Sequence, residues 1–195
     1  MTKELTGPIW LMQPIPYFGE KLDGNWIIEP KIDGWRMQII KYTDTRIECW
    51  GRRLEKKPNW SEKLDFLDAA TKSLPKGTLL DCELFSSGGR RFIPSLFANT
   101  KKAKPIIYIF DIIYYENTFV GNLELKVRKN IIKRLKLKPP LYFLEYEPFK
   151  GKLEITSRKK HGLSEGIVLK EISSTYKIGK DAPLATLDWR KIKWG

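Results

Sequence analysis

The sequence predicts an α+β domain built from antiparallel sheets with flanking helices. Three observations predict it. Short runs rich in β-branched and aromatic residues are separated by turn residues along most of the chain. Two stretches carry helical spacing, and both lie between strand-like runs. A length of 195 residues with 42% hydrophobic content suits one globular core, and no internal repeat, low-complexity tract or linker divides it.

In chain order, Trp26 to Glu29 reads as a strand and KIDG as a loop that leaves Lys31 exposed in a turn. WRMQIIKY and RIECWG then form a hairpin closed by the polar TDT turn. From about Asn59 to Ser73 the spacing predicts a helix, with Asn59 or Ser61 as the cap and Leu64, Phe66 and Leu67 on its apolar face. GTLLDCELF is a strand. PIIYIFDIIYY is apolar almost throughout, as expected of a strand covered on both faces. LELKVRKNIIKRLKL follows as an amphipathic basic helix, and LYFLEYE, GIVLKEI and DWRKIKW as three further strands.

Charge narrows the class of partner. A net charge of +13, a pI near 9.6, seven Trp and eight Tyr suit a polyanion with aromatic faces to stack on, which is nucleic acid. Cys49 and Cys82 are the two cysteines, one in each of two strand-like segments, so neither a disulfide framework nor a four-cysteine zinc site can be built. A reducing compartment follows. No apolar stretch approaches the roughly 20 residues needed to span a bilayer, and MTKELTGPIW lacks an apolar signal core. The expectation is a soluble, cytoplasmic monomer with no membrane partner.

Lys31 is the candidate nucleophile. A lysine must lose its proton to attack, against an ordinary value of about 10.4, and neighbouring cations favour that loss. Asp33 works in the opposite direction, so a metal or other lysines must offset it. K-x-D-G alone is a weak signal, arising by chance in roughly 2–3% of chains this long. Other segments strengthen it. DCEL puts Glu83 inside an apolar strand, YIFDI puts Phe110 and Asp111 inside another, and Glu165 stands just before GIVLK. Carboxylates are costly to bury unless paired or metal-bound, so acids beside apolar strands point to a shared site, although each one singly also fits a strand end. In WRKIK, alternation sets Trp189, Lys191 and Lys193 on one face and Arg190 and Ile192 on the other. Two lysines on one face suit a phosphate. A solvated edge strand would look the same. His161, the single histidine, sits before Gly162 in a turn and has no catalytic role in this reading.

The order of these motifs resembles the nucleotidyltransferase domain of ATP-dependent DNA ligases, within the covalent nucleotidyltransferase superfamily that includes RNA ligases and mRNA capping enzymes. KIDGWR resembles the first motif, K-x-D-G-x-R, and GRRLEKKP the arginine-containing motif after it. DCEL is similar to D-G-E-L, with Cys82 in place of Gly, IFDII to F-D-h-L (h for hydrophobic), EGIVLK to the fourth motif and WRKIK to W-h-K-h-K. The resemblance runs from residue 29 to 193, and six motifs in order are far more specific than any one.

The resemblance implies an ATP-grasp-like fold and a set of roles. Lys31 would attack the α-phosphate of ATP to form lysyl-AMP, with Lys191 and Lys193 stabilising phosphate charge. Glu29 would contact the adenine, beside a Pro30 that cannot donate a backbone hydrogen bond. Phe110 would stack on the base, and Lys170 would belong to the same nucleotide site. Arg36 would meet the ribose or the 3′ side of the nick, and Arg52 the 5′-phosphate. Glu165, with Glu83, would hold Mg²⁺ or Mn²⁺, and Glu83 would also support the ribose or Lys31. The implied partner is nicked duplex DNA, with RNA ligation, GTP-using capping and a catalytically reduced binding module as alternatives. DNA ligases continue into an OB-fold after the fifth motif, whereas this sequence stops at Gly195, so a single nucleotidyltransferase domain over residues 1–195 without an OB-fold is expected.

Overall fold

The computed structural model describes residues 4–151 and 164–194; His161 and Gly162 lie outside the described residues. The strands are β1 (Gln13–Pro16), β2 (Trp26–Ile32), β3 (Trp35–Lys41), β4 (Ile47–Gly51), β5 (Thr78–Ser86), β6 (Pro105–Tyr115), β7 (Thr118–Phe119), β8 (Leu141–Phe143), β9 (Glu147–Pro148), β10 (Ser164–Glu171) and β11 (Ala185–Lys193). Helix α1 (Asp68–Thr71) and helix α2 (Leu125–Arg134) join three 3₁₀ segments, Leu54–Lys56, Ser61–Leu67 and Arg90–Phe97. Two sheets result, one ordered β1-β11-β10-β2-β9 and the other β4-β3-β5-β6-β7 with β8 beside β6. Pairing is antiparallel except for β1 with β11 and β6 with β8.

Period-two alternation sorts the core into layers. On the second sheet, Met37, Ile39, Leu80, Cys82, Ile107 and Ile109 point to one side and bury themselves against Leu64, Leu67, Ile93, Leu96 and Ile132 of the helical segments. The opposite face carries Ile40, Leu79, Phe85 and Phe110, which pack with Ile32 and Trp189 of the first sheet and with Leu11 and Met12. The two sheets therefore face each other. Helix α2 buries Leu125, Arg128, Lys129 and Ile132, the i, i+3, i+4, i+7 stripe of an amphipathic helix with two cations in it.

Four expectations change. Lys31 is not in a turn: ladder pairing with β10 carries β2 on to Ile32. Asp33 and Gly34 then take the chain across from the first sheet to the second, so the strand and the hairpin read as neighbours belong to different sheets. Only glycine suits that crossing, because a Cβ at Gly34 would lie 2.3 Å from the Leu84 carbonyl oxygen. The helix expected from Asn59 to Ser73 is instead a 3₁₀ run, kinked at Leu64 and followed by the single turn of α1. Neither expected cap is used as one. The Asn59 carboxamide accepts from the Ser61 amide, and Ser61 Oγ accepts from the Cys49 amide at 3.0 Å, which ties this segment to β4. LYFLEYE divides into β8 and β9, one in each sheet. Strand β1 escapes sequence reading because two prolines flank Ile15, a composition tolerated at a sheet edge.

Candidate active site

Strand register builds one wall of the site. Lys31 lies opposite Gly166, which lies opposite Lys193; Glu29 lies opposite Val168, which lies opposite Lys191; and Lys170 pairs with Trp189. Residues two apart share a face, so three strands present a grid of side chains to the space between the sheets. Opposite Lys31 only glycine fits, since a Cβ at Gly166 would meet the Ile192 carbonyl oxygen at 1.9 Å. The second sheet supplies Arg36 from β3, Glu83 from β5 and Phe110 from β6. Register slips between Asp81 and Cys82 as they pair with Asp111 and Ile109, and Phe110 occupies the bulge. A bulge re-aims its side chain, here into the cavity. The enclosed space measures about 760 Å³, within the range of nucleotide-sized sites.

The structure gathers every site residue expected from the sequence around this cavity: Glu29, Lys31, Arg36, Arg52, Glu83, Phe110, Glu165, Lys170, Lys191 and Lys193. Arg190, on the other face of β11, pairs with Glu20 at 3.2 Å. Lys31 Nζ donates to Glu165 Oε1, and Lys193 Nζ lies 3.2 Å from Glu165 Oε2. Burial works to raise the Glu165 carboxyl, but the two ammonium groups hold it below the usual carboxylate range. The Asp33 carboxylate accepts from Arg90 NH1 at 2.7 Å, and the same nitrogen donates to the Gly34 carbonyl at 2.8 Å.

Arg36 is held by a carboxylate and a backbone carbonyl. Its Nε and NH2 donate to the two Asp81 oxygens at 3.0 and 2.6 Å, NH2 also donates to the Met12 carbonyl at 2.6 Å, and the guanidinium lies 5.4 Å from the Phe110 ring centre. Burial disfavours its charge, yet Asp81 more than offsets this and the pKa rises above the ordinary arginine value. Tyr176 donates to Asp81 at 2.7 Å and accepts from the Met12 amide at 3.0 Å, which closes the network. Among the described residues Glu83 has no such partner. Burial pushes its carboxyl up to about 7, against the pull of Arg36, Lys31 and Arg52.

Behind Phe110 lies a second charged layer. Asp111 is fully buried and accepts from Arg128 Nε and NH2 at 2.7 and 3.0 Å, while Arg128 NH1 donates to the Leu123 and Ser174 carbonyls. Glu29, 2% exposed, forms ion pairs with Lys129 through Oε1 and with Lys170 through Oε2, the latter at 2.7 Å. Lys129 reaches Glu29 from behind the cavity wall, whereas Lys170 and Glu29 line the cavity. Burial lowers Lys129, with Glu29 acting against it.

Arg52, Arg53, Lys56 and Arg90 form a basic rim. Among the described residues no group of three or more His, Cys, Asp or Glu converges as a metal cage. The donor set does fit Mg²⁺ or Mn²⁺ bound in another way: Glu165 and Glu83 line one cavity, and such ions take one or two carboxylates and complete their shell with water and phosphate. Sequence reasoning missed Arg128, Lys129 and the Arg90 clamp. The signal for the first two was present, since both charges fall on the apolar stripe of their helix.

The profile of the ATP dependent DNA ligase domain family matches residues 12–193. The SPbeta prophage-derived DNA ligase-like protein LigB of Bacillus subtilis is 32% identical over 177 residues, which cover 87% of this chain and 62% of that protein. DNA ligase 4 of Kluyveromyces lactis is 30% identical over 205 residues, covering 89% of this chain and 22% of that one. This chain therefore spans less than two thirds of the length of these relatives. Its fold is similar to that of a mycobacterial DNA ligase D complexed with ATP and MES, with a TM-score of 0.71 at 20% identity over 94% of this chain and 60% of that one. The bacteriophage T7 ATP-dependent DNA ligase in complex with ATP gives 0.60 at 18% identity over 94% of this chain and 68% of that one. No helix among the described residues is long and apolar enough to cross a membrane. The chain belongs to the ATP-dependent DNA ligase family, of which it is an adenylation domain.

Proposed function

We propose that the cavity binds ATP and that Lys31 takes its AMP. One observation carries this: Lys31 and Glu29 sit two residues apart on the same face of β2. That spacing, about 6.6 Å along a strand, lets Lys31 reach the phosphate end of a nucleotide while Glu29 reaches its base. Adenine then lies between Phe110 and Val168 with its polar edge toward Glu29 and Lys170, and the phosphates lie along Lys191 and Lys193. Lys31 Nζ gives up a proton to solvent and attacks the α-phosphorus. A P–N bond forms, the bond to the bridging oxygen breaks, and pyrophosphate departs with the electron pair. Lys191 and Lys193 meet the charge that develops on the phosphates. Glu165 holds Lys31 in line. Glu165 and Glu83 would hold the divalent ion, which supplies charge neutralisation for the triphosphate when bound.

The AMP then passes to the 5′-phosphate of a nick in duplex DNA, which the basic rim draws in. Arg52 suits that phosphate because its planar fork binds two oxygens at once and it stands exposed at the cavity mouth. Labelled ATP with magnesium, followed by a denaturing gel, tests the first step. The wild-type chain is expected to carry the label and Lys31→Ala to lose it while keeping the wild-type circular dichroism. Label retained in that variant refutes the nucleophile, and label from GTP in preference to ATP refutes the donor.

A further inference from the structure

Lys129 does not line the cavity. It projects from helix α2, is fully buried, and ends against Glu29 Oε1. Its ammonium is backed by the rings of Phe143 and Tyr146, whose centres lie 5.2 and 5.4 Å away. Lys170 approaches the other Glu29 oxygen from inside the cavity, 4.6 Å from the Phe110 ring centre and 3.9 Å from that of Trp189. One carboxylate thus stands between two ammonium groups, and the adjoining Arg128–Asp111 pair balances itself. Lys129 Nζ meets Glu29 Oε1 behind the cavity wall, and Lys170 Nζ meets Glu29 Oε2 on the cavity side.

Of the three residues, Glu29 and Lys170 border the cavity, so a ligand can reach them from one side only. The complement is an edge that gives a donor to Glu29 and an acceptor to Lys170. Adenine offers this pair as its 6-amino group and N1. Guanine offers the reverse, with O6 facing a carboxylate. The choice depends on the Glu29 carboxylate being fixed in plane. Lys170 alone would leave it free to rotate onto that lysine and withdraw from the base.

We infer that Lys129 is a positioning residue for nucleobase selection: it anchors Glu29 Oε1 from behind the cavity wall, so that the carboxylate presents an acceptor to the 6-amino group of adenine. The inference rests on reading the cavity as an ATP site. Its test compares the formation of covalent nucleotidyl-protein from ATP and from purine riboside triphosphate, which lacks the 6-amino group, in wild type, Lys129→Met and Lys129→Arg. Wild type is expected to favour ATP by roughly 10- to 100-fold in kcat/KM, the range for a hydrogen bond to a charged acceptor. Lys129→Met should bring that ratio to within about threefold, chiefly by raising KM for ATP, and Lys129→Arg should restore most of it. An unchanged ratio in Lys129→Met overturns the inference, as does an equal loss with both nucleotides, which is what a purely structural role would produce. If Lys129→Met fails to fold, Lys129→Gln gives the same comparison with a neutral side chain of similar reach. A wild-type protein that takes no label from ATP would refute the ATP site itself, whereas labelling with an unchanged ratio removes only the role of Lys129.

Discussion

Asp111 follows Phe110 in a motif that the resemblance places at the nucleotide, yet its own carboxylate is turned to holding the fold together. Its carboxylate is fully buried and closed over by Arg128, whose remaining donors reach the carbonyls of Leu123 and Ser174. Asp111→Ala would leave that guanidinium buried without its counter-charge. Breaking a buried pair in this way costs about 3–5 kcal/mol, a large share of the roughly 5–15 kcal/mol that holds a domain together. At 2–4 °C per kcal/mol for a chain of this size, Tm should fall by about 6–20 °C. Urea unfolding with an unchanged m-value is the assay, and labelling per folded molecule should fall far less than stability. Removing both charges in Asp111→Ala/Arg128→Met should cost less than the sum of the single changes by about 2 kcal/mol or more, since neither charge is then stranded. The same pair predicts acid sensitivity. Burial works to raise Asp111, but Arg128 holds it below the ordinary carboxylate value, so its contribution is present above the unfolded pKa and is lost as pH falls through the folded one. A single variant within 1 kcal/mol of wild type, or additive single changes, would refute this account.

Glu83 predicts the opposite sign. Its folded pKa of about 7 exceeds the unfolded value, so the folded state binds the proton more tightly and stability falls as pH rises between the two. Glu83→Gln should therefore gain stability relative to wild type in thermal melts at pH 8 and lose that advantage near pH 4; a constant difference would count against it. Arg52→Ala should leave self-adenylation intact and impair sealing of a 5′-phosphorylated nick, whereas equal loss in both assays would place Arg52 at the ATP. If the rim residues Arg52, Arg53, Lys56 and Arg90, with Lys57, Arg91, Lys101 and Lys102 beyond it, neutralise about six phosphates, DNA affinity should fall on the order of 10³-fold between 50 and 200 mM salt, with a log–log slope near −5. Sealing that holds constant to 200 mM would show that charge is not what holds the DNA.

The strands from β3 to β6 and the last two were legible because alternation and apolar runs state which residues face inward. Periodicity does not state which strand is the neighbour. The sequence shows a strand, a D-G pair and a hairpin, and local rules join them as one sheet. The crossing at Asp33 and Gly34 depends on β10, more than 130 residues away, pairing with β2. Lys31 looked like a turn residue for the same reason. The helix at Asn59 was over-read because the apolar spacing was real, while Ser61 was committed to the edge of β4 instead of to a cap. The site residues were legible where motif order carried them. Lys129 was not: its place on the apolar stripe of its helix marks it as buried, but only the strand beneath it shows that a carboxylate is its partner.

Cys49 and Cys82 stand on the layer opposite the cavity, both free and buried. Burial pushes the Cys49 thiol up to about 12 and Cys82 well above its ordinary value. Neither forms thiolate at neutral pH while the sheet is closed, so neither reacts with an alkylating reagent until the 3₁₀ segments and α2 lift away. The native chain thus carries a clock for the opening of one layer, with no thiol at the nucleotide to confuse the reading. Slower alkylation in the presence of ATP would show, without mutation or dye, that filling the space between the sheets also steadies the helical side of the second one.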